Sequence, residues 1–405
     1  MIVTAPARIR CSHLLRRLAG SLAFAWLSAL SAGCGGAAPA PSTQLADKPV
    51  SDAPGPGTGS AGEQAASLEA PAGFHVYYLS QMVPGARFMA FAPNGDLLVS
   101  EPSAGDIVVI PHGSSPEAQP RTFATGLSLP HGLAFFNGKL YVATWSGVVR
   151  YDYPSNRATT LFANMPQGGD HNMRALAIGG DGAIYVSSGS DCNVCDESDS
   201  RFATVLRYGV GDRNGSIFAK GLRNASGLAF DANGRLWAVV NQRDNIGTTQ
   251  VTDNLPPDEL DLVQSGDDMG WPRCYPDHDH AARSPNPEYA NASCAATAPA
   301  ALNFQAHSAP LGVAFYYANQ FPASYKGGAF VAFHGSWNRS TRTGDKVVFV
   351  RFSGGRPISY QDFVTGWLRS SGYEGRPVGV AVAPDGSIAV SDDRRGYIYR
   401  IVYRR

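Results

Sequence analysis

What this sequence lacks narrows it before any motif is read. Charge is scarce: 16% of the 405 residues are charged, and 33 Lys and Arg balance 33 Asp and Glu. With no surplus of positive charge there is no electrostatic footprint for nucleic acid, and that class of partner is excluded. Long apolar runs are missing too, since the stretch LAGSLAFAWLSALSA near the amino terminus is too short for a comfortable membrane span. Cysteine is down to six, with Cys11 and Cys34 near the amino terminus and four in the body of the chain. Glycine is abundant, at 45, with 28 prolines and short apolar runs between them. That pattern suggests an all-β chain, long enough for one large domain or two smaller ones.

Residues 1–33 read as a secretory signal peptide. Arg8, Arg10, Arg16 and Arg17 form a basic head, an apolar core follows, and Ser31–Cys34 is a small-residue cleavage site ending in cysteine. Cysteine after Ala-Gly resembles a bacterial lipobox, which would leave Cys34 lipid-modified at the new amino terminus. Ser31 stands where a branched aliphatic residue is usual, and ordinary cleavage is the alternative. Residues 34–70 are Ala, Pro, Gly and Ser with almost no large apolar side chain, a composition expected of a disordered tether. The expectation is an exported, periplasmic protein anchored through Cys34.

From residue 71 onward one pattern recurs: a short apolar strand, an Asn-Gly or Asp-Gly turn, and a second apolar strand. The copies are FMAFAPNGDLLVSE, HGLAFFNGKLYVAT, RALAIGGDGAIYVSSG, SGLAFDANGRLWAVVN and VGVAVAPDGSIAVSDD, with turn glycines Gly95, Gly138, Gly182, Gly234 and Gly386. LGVAFYYANQFPASYKGGAFVAFHG, with an enlarged turn near Gly327, makes six. A period of about 45 residues with two or more strands per unit is the mark of a β-propeller blade. Further strands fit between, as in GVVRYDY and GYIYRIVY, and Asp258–Val263 starts another. Residues 71–405 are therefore expected to form a six-bladed β-propeller; a β-sandwich with coincidental hairpins is the alternative. In a propeller the residues entering and leaving the inner hairpins converge on one central site.

Read that way, the chain offers Arg87, His131, Asp170, His171, Arg174, Arg223 and Asn224 at the starts of the first four copies. Asn241, Gln242, Arg243 and Asp244 close the fourth; His307, His334, Trp337, Asn338 and Arg376 belong to the last two. Several arginines around one axis repel unless an anion sits among them, so they point to a polyanionic small ligand. Each could instead form a salt bridge to a loop acid, and Trp337 could be a packing residue. His171 has the chemistry of a base at neutral pH, and Asp170 beside it would raise its ionisation if the carboxylate faces the ring, or do nothing if it turns to a backbone amide.

The stretches GGDHNMRALAIGGDG, SDCNVCDE, GLRNASGLAF, NLPPDELDLV, DDMGWPRCY, AHSAPLGVAF, VAFHGSWNRS and GRPVGVAVAPDG together resemble the soluble quinoprotein glucose/sorbosone dehydrogenases. These are six-bladed propellers that use pyrroloquinoline quinone (PQQ) and calcium, and the likeness is closest to the sorbosone-dehydrogenase-like branch. The resemblance implies His171 as the base that takes the substrate's proton while hydride passes to the quinone, with Arg223 stabilising the oxyanion that develops on the cofactor. It implies that Arg87, Arg174, Asn224 and Arg376 hold the cofactor, with Asp170, His334, Trp337 and Asn338 lining the same site. Calcium would be held around Gln242, Arg243 and Asp244. The glucose-dehydrogenase branch has Gly-Pro where this chain has Gln242-Arg243, and threonine where it has Met173. The implied partners are a sugar and a periplasmic or membrane electron acceptor.

Cys192, Cys195, Cys274 and Cys294 allow three disulfide connectivities. Local spacing favours Cys192–Cys195 within CNVC and Cys274–Cys294 around one loop, with a zinc site or a redox CxxC as alternatives. Two other function classes also live on propellers. Calcium-dependent lactonases need carboxylate and amide ligands around an axial ion, whereas this axis is rich in arginine. A non-enzymatic binding propeller would need no base beside an anion cradle.

Overall fold

The computed structural model describes residues 59–80, 82–113, 119–246, 252–277 and 283–404. The signal peptide, Cys34 and most of the proposed tether lie outside the described residues. Six four-stranded antiparallel sheets follow one another along the chain. Their inner strands are Met89–Phe91, Leu133–Phe136, Leu176–Ile178, Ala225–Phe230, Pro310–Phe315 and Pro377–Val382. Each touches the inner strand of the next sheet, and the last touches the first, so the six close into a ring. The expected six-bladed propeller is the architecture found. Every one of the six hairpins read from the sequence supplies the two inner strands of a blade.

Closure uses the two ends of the propeller. Phe74–Tyr78, the first strand, pairs antiparallel with Tyr397–Tyr403 and forms the outer edge of the sixth blade. Asp258–Val263 contains the third strand of the fourth blade, Glu259–Val263. One boundary moves: residues 59–70, assigned to the tether, include packed chain. Ala65 is buried, its amide donates to the Val76 carbonyl, and Glu69 pairs with Thr365.

The alternation of apolar residues places one face of each sheet against the preceding blade and the other against the next. Six apolar clusters result, one in each gap between blades. The largest joins blades five and six and contains Phe321, Tyr325, Phe330, Phe363 and Trp367 around Phe74 of the closing strand. Near the axis the blades come so close that side chains must vanish. A Cβ on Gly227 would sit 2.0 Å from the Leu311 carbonyl of the next blade, and one on Gly312 would sit 2.5 Å from that of Val378. The small-residue start of the repeated GLAF and GVAF strands is thus a packing requirement of the ring.

Candidate active site

All inner strands begin, and all second strands end, on one face of the ring, so the residues singled out above share one mouth. In blades four, five and six the register slips at the start of the inner strand, between Ala225 and Gly227, Pro310 and Val313, and Pro377 and Val380. Such bulges re-aim the residues beside them. Here they follow directly on Arg223-Asn224, His307 and Arg376.

One half of the mouth is built around Asp393, at the end of blade six. Its carboxylate accepts Arg87 Nη1 from blade one at 2.6 Å and His334 Nε2 from blade five at 3.0 Å. Arg87 Nε also donates to His131 Nε2 at 3.3 Å, so the His131 proton sits on Nδ1, facing the Arg174 carbonyl. Arg376 joins this group, donating to the carbonyls of His334 and Gly335 at 3.0 Å each. Burial pushes the Asp393 carboxyl up, but His334, Arg87 and Arg376 outweigh it and hold it well below the ordinary range. Burial, with Arg376 adding to it, pushes His334 down to about 4 despite the carboxylate. Asp393 was not read from the sequence. The signal was there in VSDD, had the exit of copy six been read as those of copies four and five were.

The other half joins blades three and four. His171 Nδ1 faces the Ser190 carbonyl at 3.0 Å and the Ser190 hydroxyl at 2.9 Å. A carbonyl can only accept, so the ring proton is on Nδ1 and Nε2 carries the lone pair. Among the described residues Nε2 has no protein partner. Burial, and then the neighbouring Arg223, push the His171 ionisation down to about 3, so the ring is neutral at any working pH. Asp170 is exposed and acts on Arg223 rather than on the histidine. The condition for an upward shift, a carboxylate acting on the ring, is not met, and burial with Arg223 takes the ionisation down instead.

Arg223 is 4% exposed. Its Nε donates to the Asn193 carbonyl (3.1 Å), Nη2 to Asn193 Oδ1 (2.9 Å) and Nη1 to the Gln242 carbonyl (2.8 Å), while Asp244 stands 3.9 Å away. Burial lowers its ionisation against the pull of Asp244 and Asp258, which leaves a fixed cation with incomplete compensation. Asn224 lies alongside, donating to Asn241 Oδ1 at 3.3 Å. A Cβ on Gly189 would meet His171 Cβ at 2.4 Å and Asn224 Oδ1 at 3.1 Å, so glycine there lets the two approach. Asn193 and Ser190, which hold this pair, were also missed by sequence reading.

Two expectations need correction. Arg174 was placed in the cofactor cradle, but its guanidinium is fully buried and donates to the Trp145 and Pro166 carbonyls and to Ser188 Oγ. It is an interior brace between blades two and three. The calcium ligands are the second. The Gln242 carbonyl accepts Arg223, the Asp244 carbonyl accepts Asn338 Nδ2 at 2.5 Å, and the Arg243 guanidinium turns to Glu288 and Asn286. Calcium takes six to eight oxygens, and of those that Gln242, Arg243 and Asp244 carry, the Gln242 carbonyl lies 2.8 Å from the Arg223 cation and the Asp244 carbonyl is taken by Asn338. Among the described residues no group of three or more His, Cys, Asp or Glu could hold a metal. These residues do not by themselves fit calcium.

A flat polyanion fits better. The mouth presents Arg87, Arg223 and Arg376, two of them depressed by burial, which an anion would relieve. Trp337, beside His334 and Asn338, is 55% exposed, an unusual setting for an indole and one that a planar ligand would cover. The disulfides are Cys192–Cys195 and Cys274–Cys294, as local spacing favoured.

A family model described as TrAA12-like matches residues 68–404. The chain belongs to the TrAA12-like family. Solved structures share the fold of this TrAA12-like chain. The calcium structure of the Trichoderma reesei carbohydrate-active enzyme of family AA12 has a TM-score of 0.71 and 22% identity, covering 83% of this chain and 97% of that one. The holo form of the pyranose dehydrogenase PQQ domain from Coprinopsis cinerea has a TM-score of 0.69 and 20% identity, covering 83% and 97%. The PQQ-bound aldose sugar dehydrogenase of Streptomyces coelicolor has a TM-score of 0.59 and 18% identity, covering 83% and 100%. The structural neighbours are consistent with the quinoprotein resemblance read from the sequence.

Proposed function

We propose that this protein oxidises a sugar, as an aldose, sugar alcohol or sugar aldehyde, with PQQ bound at the mouth of the propeller. The observation that carries the reading is a neutral histidine, His171, tied through Nδ1 to Ser190 and set beside the buried cation Arg223. His171 Nε2 takes the proton from the substrate hydroxyl as the carbon–hydrogen bond breaks. When bound, the quinone supplies the acceptor for the hydride. Arg223 presents a fixed positive charge where negative charge accumulates, and its five hydrogen-bonding protons are pre-oriented by Asn193 and Gln242. Arg87, Asn224, Arg376 and Asn338 would hold the cofactor's carboxylates and carbonyls, with His334 and Asp170 at its edge and Trp337 against a ring face.

One observation favours a second assignment of the base within the same reaction. His334 is oriented by a carboxylate, Asp393, as bases in catalytic dyads are. The lactonase class fits less well, since the Asp393 carboxylate at the mouth is already paired with Arg87 and His334 and arginines stand among the remaining acids. Export, a periplasmic location, lipid on Cys34 and an envelope electron acceptor complete the reading, supported by the composition of residues 1–33 and the Ser31–Cys34 motif. The test is reconstitution: adding PQQ should produce a protein-bound quinone absorption band and sugar-dependent reduction of a dye. A protein that leaves the spectrum of PQQ unchanged does not have this function.

A further inference from the structure

Both residues assigned to the chemistry are anchored on one small covalent ring. Cys192 and Cys195 are joined three residues apart, and Asn193 between them uses each of its acceptors twice. Its carbonyl takes Arg223 Nε at 3.1 Å and Trp271 Nε1 at 3.3 Å. Its side-chain oxygen takes Arg223 Nη2 at 2.9 Å and the Asp244 amide at 3.0 Å. Two of the three nitrogens of Arg223 thus rest on a single residue. On the other side of the ring, the Cys192 carbonyl accepts Ser190 Oγ at 2.7 Å, and Ser190 is the partner of His171 Nδ1. The Asp191 amide donates to Glu197 Oε1 at 2.9 Å and folds the loop back on itself.

We propose that Asn193, fixed by the Cys192–Cys195 ring, is a positioning residue that sets the distance and direction of Arg223, while the Cys192 carbonyl of the same ring, through Ser190, sets those of His171. The proposal rests on the reading of those two as the reacting pair. An irregular segment that keeps four acceptor contacts in register loses much conformational freedom, and closing it covalently removes most of that cost in advance. Asn193 and the two cysteines carry no charge. The charged groups facing Arg223 are Asp244, Asp258, Asp170 and Arg243, and none of them belongs to the ring. Altering the ring therefore changes geometry and leaves the local charge as it was.

The experiment compares Asn193→Ala and the double variant Cys192→Ser/Cys195→Ser with wild type, using Cys274→Ser/Cys294→Ser as the control. Two readouts are taken on protein shown to be folded by its thermal transition. With PQQ and sugar, kcat should fall by about tenfold or more in the first two while KM stays within about threefold, the signature of lost orientation rather than lost binding. In quinone-free protein, NMR titration of the His171 ring, assigned with His171→Gln, should show its ionisation rising by about one unit as Arg223 moves away. The control should move neither readout. Unchanged kcat and an unchanged His171 titration in either folded ring variant would overturn the proposal. If wild type does not oxidise sugars at all, the functional reading fails, and the titration alone still decides whether the ring holds Arg223 beside His171.

Discussion

At the scale of single residues, environment decides what each histidine can do. Burial and Arg223 put the His171 ionisation at about 3, far below the ordinary value of about 6.5. The active form is the neutral one, so activity governed by His171 is lost only as pH falls towards 3, not through 6.5. Asp258 and Glu197, each pushed up to about 7 by burial, are neighbours able to titrate in the neutral range. In an Asp258→Asn/Glu197→Gln background, kcat/KM should stay flat from about pH 8 to about pH 5. A limb at pH 6.5 in that variant would show that the base lies in a watery setting. Calcium is tested at the same scale. With Gln242 and Asp244 carbonyls already accepting hydrogen bonds, calcium alone should leave the melting temperature of quinone-free protein unchanged within about 1 °C. A saturable rise would mean that the carbonyls release Arg223 and Asn338 to a metal.

At the scale of elements, the hairpins were legible because two signals coincide in each: period-two alternation and a turn glycine with positive φ, such as Gly95 at 87° and Gly386 at 84°. The close approach of inner strands adds a prediction. Gly227→Ala forces a Cβ onto the Leu311 carbonyl, so the fourth and fifth blades must part, at a cost of about 1–3 kcal/mol read from chemical denaturation. Wild-type stability would mean that the ring has slack at its axis. The site was less legible than the hairpins. His171, Arg223 and Arg376 follow from position at strand entries. Which way a side chain turns does not, and Arg174, three residues from His171, faces the interior instead. Asp393 was marked only by its place at the exit of copy six, and Asn193 lies in a loop without periodicity, where only the geometry of its partners marks it.

At the scale of the whole molecule, a propeller has no edge to spare, and the ring depends on one strand donated from the start of the domain. Phe74 in that strand makes edge contacts with Phe321, Tyr325 and Phe363, centroids 4.8–5.1 Å apart. Phe74→Ala should lower stability by about 3–5 kcal/mol, and the unfolding transition should broaden or split as blade six loosens first. A sharp transition near the wild-type midpoint would show that closure contributes little. Resemblance read from the motifs and the TrAA12-like match agree on this architecture, since both cover the chain from the closing strand onward.

The mouth of that ring is where the account stands or falls, and one comparison tests it most directly. Turnover of sugar with a dye acceptor is measured at saturating PQQ in wild type, His171→Ala and His334→Ala. His171→Ala should bind PQQ as wild type does while kcat falls by about 10²–10⁴, the usual share of a general base. His334→Ala should keep substantially more turnover, since its Nε2 is tied to the Asp393 carboxylate and is not free to take a proton. Near-normal turnover in His171→Ala beside a dead His334→Ala would contradict the assignment and move the base to blade five.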